Sequence, residues 1–171
     1  QNQMMDVGTG AFPVFADVFG DGLTDLVVSN VGNLDSTYFI YGSLQTHRSA
    51  QLHFYKNIGT AHNPVFQLFD NDFGGLKPIK SMGLVPTFGD LDSDGRQEMI
   101  VGTAEGHLLL FDADFNLLDD DFLHFGNAWS APCLFDVDQD DILDLIVGDA
   151  SGKLTYYHGF RQDGFVDFHL I

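Results

Sequence analysis

Short apolar runs recur along the chain in a constant order relative to proline, aspartate and glycine. Pro13-Val14-Phe15-Ala16-Asp17, Pro86-Thr87-Phe88-Gly89-Asp90 and Pro132-Cys133-Leu134-Phe135-Asp136 each place a proline four residues before an aspartate. Acidic stretches follow at 17–25, 90–98 and 136–144. Each leads directly into an apolar triplet, Leu26-Val27-Val28, Met99-Ile100-Val101 or Leu145-Ile146-Val147. Short apolar runs bounded by turn residues predict strands. Triplets without a polar face predict strands of sheets covered on both sides.

The downstream halves agree as well. Turns at Glu105-Gly106 and Ser151-Gly152 precede the runs 107–111 and 153–157, and the similar run 51–55 stands later in its unit. The first unit therefore carries an insertion at about 33–50. Fourth strands are expected at 65–69, at 116–118 or 122–125, and at 165–170. The chain thus divides into three repeats, 1–72, 73–124 and 125–171, each of four short antiparallel strands. Repeats of that kind stacked face to face predict an all-β fold of β-propeller blades. A closed ring takes about 4–8 blades, so three blades belong to a larger or multi-chain propeller. A β-solenoid and a β-sandwich are the alternative architectures.

The acidic loops carry the chemistry. In the second, Asp90, Asp92, Asp94 and Glu98 occupy loop positions 1, 3, 5 and 9, with Gly95 at position 6. A sharp turn there, where glycine accepts a positive φ without strain, would let the carboxylates converge with the carbonyl of Arg96. The third loop offers Asp136, Asp138, Asp140 and Asp144 with the carbonyl of Ile142, and Asp141 at the turn. The first offers Asp17, Asp21 and Asp25 with the carbonyl of Leu23, but Phe19 stands at its third position. Hard oxygen donors without His or Cys suit Ca²⁺ rather than zinc, and Mg²⁺ prefers to keep its waters. Two Ca²⁺ sites are expected, and the first loop is a third, weaker candidate. An EF-hand is excluded, because it needs a Glu at position 12, where this chain has Val28, Val101 and Val147.

Composition sharpens this reading. Asp and Glu number 25 against 7 Lys and Arg, a formal charge of −18. Such a chain lacks the basic footprint that nucleic acid requires. Nearly half of the acids fall in the three loops, where cations would relieve their mutual repulsion. No run is long enough to span a bilayer. The single cysteine, Cys133, excludes an intrachain disulfide, and its apolar flanks predict a buried side chain. The seven histidines are scattered singly, and 119–121 reads as a solvated turn. A start at Gln1 without a basic-plus-apolar leader is expected of a mature or excised segment.

The repeats resemble the FG-GAP/VCBS family, the blades of integrin α-subunit propellers and of many bacterial secreted proteins. Phe125-Gly126, Ala131-Pro132 and the loop 136–144 follow the family's order, with Phe73-Gly74 and Gly10-Ala11 as remnants in the other units. The stretch 55–60, followed by Asn63-Pro64-Val65-Phe66, is similar to repeats in surface proteins of Bacteroidetes. This resemblance implies a calcium-stabilised propeller outside the cell or on its surface. It does not imply one activity, because propellers host many. The first expectation is a non-catalytic adhesion or ligand-binding module, with a protein or glycan ligand, or further blades of the same protein, as partner. Tyr38, Phe39, Tyr41, His47 and Arg48 of the insertion are candidate contacts. The alternatives are part of a propeller-type polysaccharide lyase or hydrolase, for which no nucleophile motif, phosphate loop or zinc motif is present, and a purely structural segment of a secreted assembly.

Overall fold

A computed structural model describes residues 5–124 and 129–171. The expected Phe125-Gly126 element, and the end of one proposed fourth strand, lie outside the described residues.

The fold is all-β. Three four-stranded antiparallel sheets follow one another along the chain. The first contains β1 (Phe12–Ala16), β2 (Asp25–Ser29), β5 (Leu52–Asn57) and β6 (Phe66–Asp70). The hairpin β3 (Asn33–Ile40) and β4 (Ser43–Ser49) interrupts it as a separate two-stranded sheet. The second sheet contains β7 (Val85–Gly89), β8 (Glu98–Gly102), β9 (His107–Phe111) and β10 (Leu117–His124). The third contains β11 (Ser130–Phe135), β12 (Asp144–Asp149), β13 (Leu154–Gln162) and β14 (Phe165–Leu170). Two short 3-10 turns, Phe73–Gly75 and Lys77–Ile79, lead from the first sheet to the second.

Sequence alternation decides which side chains enter the two intersheet cores. Val27, Leu52 and Phe54 of the first sheet pack against Met99, Val101, Leu109 and Phe111 of the second. The opposite face of the second sheet sends Ile100, Leu108 and Leu110 toward Leu134, Leu145 and Val147 of the third. The second sheet is therefore buried on both faces, as its unbroken apolar triplet predicts. First strands approach most closely, β1 against β7 and β7 against β11. The sheets fan outward from that edge.

A repeated pair of backbone hydrogen bonds fastens this stack. Val31 N–H donates to Thr9 O (2.8 Å) and Ala104 N–H to Met82 O (3.0 Å), at equivalent places in the first two units. Gly83 N–H then donates to Val31 O (3.2 Å) and Trp129 N–H to Ala104 O (2.8 Å), linking each unit to the next. The first residue of these linking turns is left-handed in every unit: Gly10, Gly83 and Trp129 have φ of 68°, 65° and 63°. Trp129 holds this conformation despite its side chain, which lies against Gly83, where a Cβ would stand 2.1 Å from the indole ring.

Two sequence expectations are corrected. Cys133 is exposed, because β11 alternates and directs Pro132 and Leu134 inward and Cys133 and Phe135 outward. Residues 119–121 form part of β10 rather than a turn. That strand pairs with β9 through two register shifts, which absorb the extra residues while leaving these carboxylates exposed.

Among the described glycines, Gly102 meets the neighbouring sheet most closely, where a Cβ would stand 2.0 Å from Ser130 O and 2.6 Å from Pro132 Cδ. Gly102→Ala is expected to force the second and third sheets apart and to cost about 1–3 kcal/mol, as overpacking does. Thermal or urea denaturation checks this.

Candidate metal centre

Each acidic loop connects the first two strands of a sheet, and all three share one backbone. Position 6 is left-handed in every loop, at Gly22 (φ 80°), Gly95 (φ 88°) and Asp141 (φ 65°). Position 4 is left-handed too, at Gly20 (φ 64°), Ser93 (φ 62°) and Gln139 (φ 64°). Sequence reasoning found the first turn through Gly95 but missed the second, because serine and glutamine carry no signal for it.

The paired turns bring loop N–H groups back onto the first aspartate. Asp17 accepts from Asp21 N–H (3.0 Å) and Gly22 N–H (2.8 Å), Asp90 from Gly95 N–H (3.1 Å), and Asp136 from Gln139, Asp140 and Asp141 N–H (2.7–3.2 Å). The aspartate at position 5 accepts the N–H of position 7 in each loop: Leu23 onto Asp21, Arg96 onto Asp94 and Ile142 onto Asp140. Short side chains bonded to their own backbone in this way hold a loop in shape without any ion.

The carboxylate at position 9 is buried in all three loops. Asp144 accepts from Gly159 N–H on β13 (2.8 Å) and from Val137 N–H at loop position 2 (3.0 Å). Asp25 accepts from Asn57 N–H on β5 (2.8 Å), and Glu98 from Leu91 N–H at loop position 2 (2.7 Å). Burial raises the Asp25 and Glu98 carboxyls, and neighbouring loop carboxylates add to the effect. Burial pushes Asp144 upward too, but Gly159 and Val137 N–H, the Tyr156 hydroxyl and His158 outweigh it and hold the group below the usual range.

Among the described residues, the structure brings together Asp90, Asp92 and Asp94 in the second loop, and Asp136, Asp138 and Asp140 in the third. Their ligand oxygens lie within 4.8 Å of one another. Asp90 Oδ1 is a buried oxygen without a hydrogen-bond partner, and so is Asp25 Oδ2 in the first loop. What distinguishes the second loop is that its oxygen belongs to a cluster of three carboxylates. Glu98 stands outside this grouping, because its carboxylate is turned inward to Leu91. The Arg96 side chain points away from the loop, bonding Ala113 O (2.8 Å) and the Asp114 carboxylate.

The first loop differs. Asp17, Asp21 and Asp25 do not form such a grouping. Lys56 lies 3.4 Å from Asp21 Oδ2, and its ammonium stands 4.4 Å over the Phe19 ring. A cation from the chain itself thus sits beside this loop, held by a carboxylate and an aromatic face.

A third grouping consists of Asp138, Asp144 and His158. The histidines are therefore not all isolated. His158 lies one residue beyond the Leu145–Tyr157 pair of β12 and β13, so strand pairing sets it across from Asp144. Sequence spacing gives no sign of this, because the two residues meet only through the sheet register.

The chain is 35% identical over 106 residues to integrin alpha-M of Mus musculus, a stretch that covers 60% of this chain and 8% of that protein. The chain therefore corresponds to a small part of that relative's length. No family profile matches the chain, and no solved structure matches it.

Asp144→Asn, measured in chelator, is expected to cost about 1–3 kcal/mol, because an amide sets a donor against one of two buried N–H groups. The carboxyl is held below its unfolded value, so its contribution is complete above that value and is lost as pH falls through the folded one. Chemical denaturation between neutral pH and about pH 3 should show a flatter acid limb in the variant.

Proposed function

We propose that this chain is a segment of a calcium-stabilised β-propeller of the FG-GAP/VCBS type, from a secreted or cell-surface protein, serving as a non-catalytic adhesion or ligand-binding module. The observation that carries the metal assignment is the second loop. Three carboxylates converge there on a preformed double turn, and one of their oxygens is buried without a partner. Hard oxygen donors in a loop of this kind suit Ca²⁺. Asp90, Asp92 and Asp94 would hold it, with the Arg96 carbonyl, and Glu98 would brace the loop from beneath. Asp136, Asp138 and Asp140 would do the same in the third loop, with the Ile142 carbonyl and Asp144 behind them. Bound Ca²⁺ would supply charge neutralisation and a rigid crosslink across each loop. In the first loop Lys56 lies beside Asp21 and position 3 is Phe19, so it is the weaker candidate, although Asp25 Oδ2 is buried there without a partner.

The stacked sheets support the propeller. The outer face of the third sheet repeats positions that are buried between the other sheets. Leu52 and Leu108 are 0% exposed, whereas the equivalent Leu154 is 73% exposed; Val18 and Leu91 are 4% and 0% exposed, whereas Val137 is 45%. Apolar surface at positions built for intersheet packing is what a further blade would cover. The likeness to part of an integrin α-subunit supports an adhesion role and a place at the cell surface. Among the described residues, no helix is long and apolar enough to cross a membrane. Ca²⁺ affinities of about 10⁻⁴–10⁻³ M, common in extracellular modules, would keep such loops filled outside the cell.

Calorimetric titration of chelator-stripped protein with CaCl₂ should find two ions rather than three, with a rise in melting temperature. A folded protein that takes up no Ca²⁺ at millimolar concentration overturns the proposal. Asp92→Asn should abolish one of the two sites, or weaken it at least about tenfold, while leaving the other unchanged.

A further inference from the structure

We propose that the third loop contains a mixed nitrogen–oxygen site, formed by Asp138, Asp144 and His158, that takes a borderline divalent transition metal of the zinc class. The proposal shares with the calcium reading the premise that this loop holds a cation, and it changes which ion the loop prefers.

The three loops are equivalent in backbone but differ in the residue that strand pairing places across from position 9. The paired neighbours Leu26–Tyr55, Met99–Phe111 and Leu145–Tyr157 put Lys56, Asp112 and His158 at that place in the three sheets. In the first sheet the occupant is a cation, and its ammonium lies 3.4 Å from the loop carboxylate of Asp21. Positive charge is therefore accommodated beside a loop of this backbone. In the second, Asp112 adds an anion, and its carboxylate is taken up by Asn116. In the third, an imidazole adds a nitrogen donor to the oxygens.

The distances fit a metal. His158 Nδ1 lies 3.1 Å from Asp144 Oδ1 and 3.6 Å from Asp138 Oδ2. A tetrahedral ion with bonds of about 2.0–2.1 Å has ligand–ligand edges of about 3.3 Å. The two histidine edges are close to this, and the Asp138 and Asp144 oxygens lie within 4.8 Å of each other. Imidazole with carboxylate is a donor set suited to zinc, copper or nickel, whereas Ca²⁺ takes oxygen. Asp144 is already oriented by Gly159 and Val137 N–H, the kind of outer support that fixes a ligating carboxylate. Asp138 also belongs to the oxygen-only grouping with Asp136 and Asp140. The two sets share Asp138, and on this proposal the two ions compete for it.

The test is calorimetric titration of the chelator-stripped chain with ZnCl₂, alone and after CaCl₂, on the native protein and on His158→Asn. The native chain should bind one Zn²⁺ that displaces one of its Ca²⁺ ions. The variant should lose at least tenfold in zinc affinity and keep its calcium stoichiometry. Equal zinc affinity in the two proteins, or no zinc binding, overturns the proposal. Should the variant fold poorly, long-range ¹H–¹⁵N NMR of the native chain tests the same ligand directly. Zinc must shift Nδ1 of His158, and an unmoved resonance overturns the proposal. Failure of the calcium reading would show separately, as absent Ca²⁺ binding at the second loop, which His158 does not touch.

Discussion

The buried carboxylate that opens the second strand of each sheet is the constraint on which the other features depend. Asp25, Glu98 and Asp144 stand where a nine-residue loop must become a strand, and each is removed from water at that point. Burying such a charge is costly unless it is hydrogen-bonded. The loop meets that demand by offering backbone N–H groups. Asp144 ties the loop start at Val137 to the third strand at Gly159, and so sets loop and sheet in one register. Asp25 makes the strand half of this connection and Glu98, with its longer side chain, the loop half. Once position 9 is held, the outer carboxylates at positions 1, 3 and 5 have little choice of direction.

The repeats then diverge on a common frame. Position 3 is Phe19 in the first loop and aspartate in the other two, and the residue across from position 9 is lysine, aspartate or histidine. Phe19 packs edge-on against Phe54 and Phe69, 5.4 and 5.8 Å between centroids. It thereby extends the apolar core into space that the other loops give to carboxylates. Lys56 lies over that ring, so the loss of one ligand is coupled to the gain of an internal cation. The excess of acidic residues is thus not spread evenly in its effect: one loop has a lysine as counter-ion, and the other two gather three carboxylates each.

The sheets show the same balance of repetition and difference. The staple through Val31 and Ala104 recurs at equivalent positions, while the exposed faces do not match. On the first sheet's outer face, Leu26, Val28 and Tyr55 are covered together with Val7 and Phe66. The third sheet leaves Phe135, Val137 and Leu154 open. The hairpin β3–β4 stands apart from all three sheets, with Tyr38, Phe39 and Tyr41 exposed.

By itself the sequence determined the periodic features: the three repeats, the strand order, the place of the insertion, and the turns at Gly22, Gly95 and Asp141. These are local, because alternation, glycine and the spacing of short polar side chains act within a few residues. Tertiary structure decided what depends on register and on facing sheets. It turned Cys133 outward, drew 119–121 into a bulged strand, directed Glu98 inward, and set Lys56 and His158 beside loops that lie more than ten residues away in sequence. Alternation says that a strand has two faces, but only the neighbouring sheet says which of them is covered. An aspartate in a loop announces a charge, but only the strand across from it decides whether lysine, aspartate or histidine answers.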